Sequence, residues 1–433
     1  MLLYQDFAHH GDIVDRAIYD RQYWKFSAYG FLKNLRFFDP FIILFFLETG
    51  LKFLEIGMLI SFREIIINVL EIPSGVLADA FGRRKSMMLS FISYIISFII
   101  FFFSTTFHTH LFAMFFFAVG EAFRTGTHKA LILEYLRQKD LLDMKVHYYG
   151  HTRSWSQMGS AVSAVLAGLI VFFSPGYRFV FLFSIVPYIL GLFLIWSYPV
   201  GLDFSNDNDT ENPEKIHIKI RIKNTLKDIL TMVKGVASRR ALINTSLSDA
   251  VFKSIKDYLQ PVLLTLVISI QVLSDFSADE KISILSSSVY FVLYFITSYA
   301  SKQSGNFANQ FKTYESSLNF SFILGIIFIL FIGIFMYIDL NVFSVVIFII
   351  FYILQNLRKP IAVGVLSSQM PATAMASGLS VKSQFKTALV AVFSPILGFL
   401  MDRLGLGSTF LLLAAFLTLL YPFIRLRQQK NLE

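Results

Sequence analysis

Twelve apolar segments, each close to the length that crosses a bilayer, occupy most of this chain. They fall near 26–48, 53–77, 86–105, 110–136, 147–173 and 178–199, then near 243–270, 282–300, 316–337, 341–366, 375–401 and 407–425. About 20 consecutive apolar residues cross the hydrocarbon core as a helix. Lipid offers no partner for a backbone N–H or C=O, so each segment must satisfy its own groups internally. The expected fold class is therefore an all-α polytopic membrane protein with twelve transmembrane helices, six on either side of the polar stretch 200–240. Composition agrees: 55% of residues are hydrophobic and 49 are Phe, whereas a soluble domain is about 45–50% apolar and lacks such runs. The domain plan is an N-terminal amphipathic or cytoplasmic segment (1–24), a first bundle (25–199), a cytoplasmic linker (200–240), a second bundle (241–426) and a short cytoplasmic tail (427–433).

Basic residues set the orientation. With the N-terminus inside, the cytoplasmic loops hold Arg83, Arg84 and Lys85, then Arg137, Lys139 and Lys145, then Lys302 and Lys312, and the central loop holds eight bases between Lys215 and Arg240. The opposite loops are poorer in base, and 271–280 is acidic, so both termini are expected in the cytoplasm. The net charge of +9 lies largely between spans and speaks for orientation, not for nucleic acid. The first residues carry Asp6, Asp12, Asp15 and Arg16 without an apolar core, unlike a signal peptide. Within the linker, 203–209 has the composition of a flexible chain, and 215–234 mixes bases with apolar residues as an amphipathic surface helix would. The chain has no Cys, which excludes disulfides and thiol chemistry.

The loop after the second segment reads Gly75-Val76-Leu77-Ala78-Asp79-Ala80-Phe81-Gly82-Arg83-Arg84-Lys85. Gly82 suits a turn, and Asp79 can accept from backbone N–H groups or pair with an Arg. The spacing Gly-x3-Asp-x2-Gly-Arg-Arg-Lys resembles the signature of the major facilitator superfamily between its second and third helices. Gly75, Asp79, Gly82, Arg83, Arg84 and Lys85 all match it. The resemblance implies a monomeric transporter of two six-helix halves that works by alternating access, with this hairpin as a conformational switch and with spans 1, 4, 7 and 10 lining a central cavity. The fifth span, Gly159 to Gly168, has no Pro, whereas drug–proton antiporters of that superfamily commonly carry a Gly-Pro there. An offset of 223 residues sets Ser298, Lys302 and Gly305 opposite Gly75, Asp79 and Gly82, a faint echo of duplication. Gly398-x3-Asp402-x2-Gly405 repeats the spacing after the eleventh span and reads as a helix-ending turn.

Ionisable residues inside spans are costly and mark cavities or partners. The first span holds Lys33, Arg36 and Asp39 ahead of Pro40, which is expected to kink the helix. The second holds Arg63, Glu64, Asn68 and Glu71; the fourth, Glu121, Arg124, His128 and Lys129. The seventh carries Asp249, Lys253, Lys256 and Gln260 on one face, with Asp257 beside it, so Lys253 has an acid four residues away on either side. The tenth holds Gln355, Arg358 and Lys359, and the eleventh Lys382 and Lys386. With Arg153 these make twelve bases to six acids, a balance that favours an anionic, carboxylate- or phosphate-bearing solute.

Lys33, Arg36, Arg124, His128, Lys253, Lys256, Gln260, Gln355 and Arg358 are the candidate substrate contacts, and Asp39, Glu121 and Asp249 the candidate proton-coupling groups. Against this stands structural pairing, with bases snorkelling to the interface or binding helices together. His147 and His151 lie four apart with no third ligand, so no metal site is read. No nucleotide loop or nucleophile–base set is present, so neither a cofactor nor catalysis is expected. The expected function is a bacterial inner-membrane secondary transporter of a small anion, with proton coupling open. A proton-driven drug exporter is the nearest rival, and a non-transporting membrane sensor or assembly factor the reading of another class.

Overall fold

The computed structural model describes residues 20–203, 235–269, 275–368 and 375–427. The segment before residue 20, the linker from 204 to 234 with its expected amphipathic helix, and the tail after 427 lie outside the described residues. The described part is helices and turns, without a strand. The first half contains α1 (Arg21–Leu32), α2 (Ile42–Glu48), α3 (Phe53–Phe81), α4 (Arg83–Phe103), α5 (Phe107–Arg124), α6 (Thr127–Gln138), α7 (Lys145–Phe173) and α8 (Phe179–Trp196). The second contains α9 (Val236–Ile255), α10 (Leu259–Ser269), α11 (Ala278–Lys302), α12 (Ser304–Ala308), α13 (Tyr314–Tyr337), α14 (Asn341–Ser368) and α15 (Met375–Ile424).

Seven stretches among the described residues are long and apolar enough to cross a membrane. α3 is long enough but carries Arg63, Glu64 and Glu71 along its length. Three further expected spans are broken helices. α15 is two helices joined at Gly405, whose φ of 82° is not helical. Taking α1 with α2, α5 with α6 and α9 with α10 as single broken spans, six segments precede residue 200 and six follow 235.

Each break has a local cause. The expected kink at Pro40 is larger than a kink: α1 stops at Leu32 and the helix resumes only at Ile42. Pro40 has no N–H to donate and disfavours helical backbone at Asp39. In the seventh span a turn of 3-10 helix, Lys256–Tyr258, separates α9 from α10. Pro261 lies four residues after Asp257 and cannot donate to its carbonyl. The fourth span, read as continuous, breaks at Thr125 and Gly126, the latter with φ of 83°.

Packing follows residue size. On α4, Ser90 Oγ donates to Gly120 O (2.6 Å) and Ser97 Oγ to Ala113 O (2.8 Å), with Ser86 and Ser93 buried on the same helix. Small residues let helix backbones approach where lipid gives no hydrophobic drive. Phe38, Phe98, Phe101 and Phe181 interlock at the centre of the first half, Phe38 stacking on Phe181 at 5.6 Å. Other aromatics, such as Phe103, Phe173 and Phe295, point outward and are exposed, as a lipid-facing surface requires.

The two halves meet where α3 packs on α15 and α7 on α11. The end bearing the Gly75–Lys85 turn is here the hairpin end, and the opposite end the far end. Near the far end the backbones almost touch: a Cβ on Gly398 would collide with Phe53 O, and one on Gly57 with Ser394 O. Ser61 Oγ donates to Ala391 O at 2.6 Å along the same seam.

Candidate functional site

A cavity of about 380 Å3 lies between the halves, toward the hairpin end, walled by α1, α3, α5, α6, α9 and α15. Its charged lining is Lys33, Arg124, Lys129, Lys253 and Lys386 against Glu71 and Glu121. The break in the fourth span shapes it, since Thr125 and Gly126 are at its wall and exposed. Glu121 and Arg124, three apart on α5, form an ion pair, and Tyr94 Oη donates to the same carboxylate. Arg124 Nε also reaches Tyr94 Oη at 3.3 Å, which fixes the guanidinium in orientation. The Arg124 side chain remains 20% exposed, so part of its fork faces the cavity. Lys33 Nζ lies 5.5 Å above the Tyr29 ring, and that ring stacks on His128 at 3.7 Å between centroids. His128 Nε2 is 3.3 Å from Tyr198 Oη, so the imidazole lines the cavity as a packed, hydrogen-bonded ring.

The cavity gathers Lys33, Glu121, Arg124, His128 and Lys253 from the sequence candidates. The others stand elsewhere. Arg36 is 3.6 Å from Asp39 and lies over the rings of Phe38 and Phe117. Asp249 accepts from Lys382 (2.9 Å) and from Gln355 Nε2 (2.7 Å) within the second half. Lys256 pairs with Asp257 at 2.5 Å. Arg358 is 1% exposed and donates to Leu318 O, Ser321 Oγ and Asn244 Oδ1, which ties α14 to α13 and α9. Its partners are those of a helix clamp, and a charge in the sequence does not show that a carbonyl of the preceding helix will take its guanidinium. Tyr94, which holds both members of the Glu121–Arg124 pair, is not among the residues that sequence spacing singles out. A Tyr in an apolar run carries no signal of its partner.

Gln260 joins the two broken spans. Its Oε1 accepts from Ile43 N (2.8 Å) and its Nε2 donates to Asp39 O (2.8 Å), so it satisfies backbone groups freed by the break before α2. Ser286 Oγ adds a bond to Pro40 O at 3.0 Å. Asp402 does similar work at the far end. Its two carboxylate oxygens accept from Phe53 N (2.9 Å) and Leu54 N (2.8 Å), at the start of α3 in the other half. The Gly398–Gly405 run therefore does end a helix, at Gly405, and in addition supplies a cap across the seam.

At the hairpin, Gly82 has φ of 104°, and Asp79 pairs with Arg83 at 3.5 Å. Asp203, buried after the sixth span, accepts from Arg84 N at 2.8 Å, and Arg83 N donates to Asp203 O at 3.2 Å. Arg84 Nη1 donates to Tyr198 O at 2.8 Å. These hairpin bonds stay within the first half. Among the described residues Gly75 has no neighbour within 4 Å of an added Cβ. Among the described residues no three His, Asp or Glu side chains converge to hold a metal.

The family model of the Major Facilitator Superfamily matches residues 31–385. Among solved structures, the nucleoside transporter NupG superposes with a TM-score of 0.73 at 12% identity, covering 95% of this chain and 100% of that one. A POT family transporter in complex with 5-aminolevulinic acid gives 0.69 at 14% identity, covering 93% and 95%. The peptide transporter POT in complex with sulfate gives 0.67 at 14%, covering 93% and 94%. Among curated proteins none matches. At these identities the structures speak for the fold. Together with the family match over most of its length, they establish that the chain belongs to the Major Facilitator Superfamily.

Proposed function

We propose that this chain is a secondary active transporter of a small solute bearing a carboxylate or phosphate, bound in the cavity between the halves. The observation that carries the reading is the lining itself: Lys33, Arg124, Lys129, Lys253 and Lys386 against Glu71 and Glu121, with Glu121 already held by Arg124 and Tyr94. A low-dielectric cavity with surplus base concentrates anions, and the fixed guanidinium of Arg124 suits a planar or tetrahedral oxyanion. A POT transporter of the same fold was solved with sulfate, which agrees in kind.

The working cycle is a rocking of the two halves about this site. The hairpin end, rich in base, is taken as cytoplasmic, in a bacterial inner membrane with both termini inside and the protein a monomer. The far end is held shut by Asp402, Gln260 and the Gly57–Gly398 seam, so the state described opens inward. Of the candidate proton-coupling groups, Glu121 is the one that lines the cavity.

The test is thermal stabilisation of the purified protein by a panel of organic anions, inorganic phosphate and amphipathic cations. A ligand at a hundredfold excess over its Kd stabilises by about 2.7 kcal/mol. Stabilisation by an anion, lost in Arg124→Ala, is the expected result, to be followed by flux into vesicles. Stabilisation by cations alone would overturn the anion reading in favour of a drug exporter. Binding without flux would point to a sensor.

A further inference from the structure

Lys253 stands between two kinds of partner. Its side chain lines the cavity and is 28% exposed, yet its Nζ lies 2.6 Å from Glu64 Oε2. Glu64 sits on α3 in the first half, its side chain fully buried, and Lys253 on α9 in the second. The other carboxylate oxygen, Oε1, accepts from Arg63 at 3.1 Å to Nε and 3.0 Å to Nη2. The acids that spacing offers to Lys253 on its own helix are engaged elsewhere. Asp249 is held by Lys382 and Gln355, and Asp257 by Lys256.

We propose that Glu64 occupies, in the unloaded transporter, the place that a substrate's anionic group takes at Lys253, so that the two compete for its ammonium. The inference rests on the reading of the cavity as an anion site. When an anion arrives, Lys253 swings from the buried carboxylate toward the cavity, and Glu64 keeps Arg63 as its counter-charge. The exchange is local, but the bond it breaks joins α3 to α9 across the two halves. Occupancy of the site is thereby coupled to the grip between the halves, with no longer pathway needed. Glu64 acts as a positioning residue through Lys253 and sets how tightly an anion is held.

An ion pair that only braces the fold predicts that removing either partner harms binding alike. Competition predicts opposite signs. The measurement is the Kd of inorganic phosphate and of succinate for purified full-length protein, by thermal-shift titration at constant ionic strength. In Glu64→Gln the shape is kept and the rival charge removed, so binding should tighten about tenfold, the weight of one charge-assisted hydrogen bond. In Lys253→Gln it should weaken by at least as much. In the double variant the tightening should vanish, because the contested ammonium is gone. If Glu64→Gln does not fold, Glu64→Asp keeps the charge but shortens the arm, and tighter binding, by less, is expected.

Weaker or unchanged binding in Glu64→Gln or Glu64→Asp, with wild-type binding intact, overturns this inference and leaves the anion site standing. Failure of both probes to bind wild-type protein overturns both.

Discussion

Asp402 caps a helix that is not its own: its carboxylate bridges the backbone N–H groups of Phe53 and Leu54, the first residues of α3, across the seam between the halves. The N-terminus of a helix carries unpaired donors and a partial positive charge, so a carboxylate there is doubly placed. Beside it Gly398 packs against Phe53 O so closely that any side chain would part the helices. In the proposed rocking cycle the cap exists only while the far end is shut, because opening would draw α15 away from α3.

Asp402→Asn should therefore shift the resting population toward the outward-open state. A loss of about 1 kcal/mol, the usual scale for a charge at a helix terminus, is about a fivefold change in ratio. The chain has no Cys, so a single cysteine at the buried far-end position Ser283, whose hydroxyl among the described residues bonds only Glu280 O of its own helix, reports opening without background. Faster labelling by an impermeant maleimide in Asp402→Asn is expected, and equal rates in both proteins would remove the cap from the gate.

Gln260 makes a second test of the same closure by different chemistry. Gln260→Ala leaves Asp39 O and Ile43 N without their partner in a buried place, at about 1–3 kcal/mol for each group. The expected result is lower thermal stability together with faster far-end labelling. A glutamate at the same position keeps the bond to Ile43 N and loses the one to Asp39 O, so it should fall between.

These seam residues show what sequence could and could not say. Length and apolarity gave the spans, since lipid leaves the backbone one solution, and the hairpin spacing led to the family because turn, acid and bases are contiguous. Gln260 and Asp402 were visible as residues but not as partners of α2 and α3, 217 and 349 positions away. Within the cavity, the stripe on the seventh span points to Lys253 and offers it Asp249 or Asp257 on its own helix, whereas its partner is Glu64 on another. Spacing tells which side chains share a face. It says nothing of which face meets which.

Arg358 separates a clamp for helices from a clamp for substrate. Its three acceptors all belong to the second half, and it does not line the main cavity. Arg358→Leu leaves Leu318 O and Asn244 Oδ1 short of a donor, so the melting temperature should fall by several degrees, on the order of 1–3 kcal/mol for each stranded group. Anion affinity of the folded fraction should stay within about twofold. A large rise in Kd at unchanged stability would place this guanidinium at the substrate.

The hairpin prediction concerns the opposite state. In this structure Asp79 pairs with Arg83, and Arg84 with Asp203 and Tyr198 O. Their contact with the second half is expected when the hairpin end closes. Asp79→Asn should slow or abolish transport while membrane expression and ligand affinity persist, because it weakens the closed hairpin end and not the site. Asp203→Ala should differ, costing stability by about 0.5–2 kcal/mol as loss of a helix cap does. Normal flux through Asp79→Asn would count against a switching role for the hairpin.

Glu121 is where coupling to protons is best tested. It lines the cavity, three residues from Arg124, and shares its carboxylate between that guanidinium and Tyr94 Oη. A proton arriving there would release Arg124 to a substrate anion, so proton and anion would load together. Glu121→Gln imitates the loaded charge state permanently. In vesicles it should retain exchange of solute for solute yet lose accumulation driven by a pH gradient, while the wild-type protein shows both. Tyr94→Phe removes one hydrogen bond and keeps the charge, so it should weaken both activities without separating them. Gradient-driven accumulation that survives in Glu121→Gln would assign the proton to another group, or remove it from the cycle.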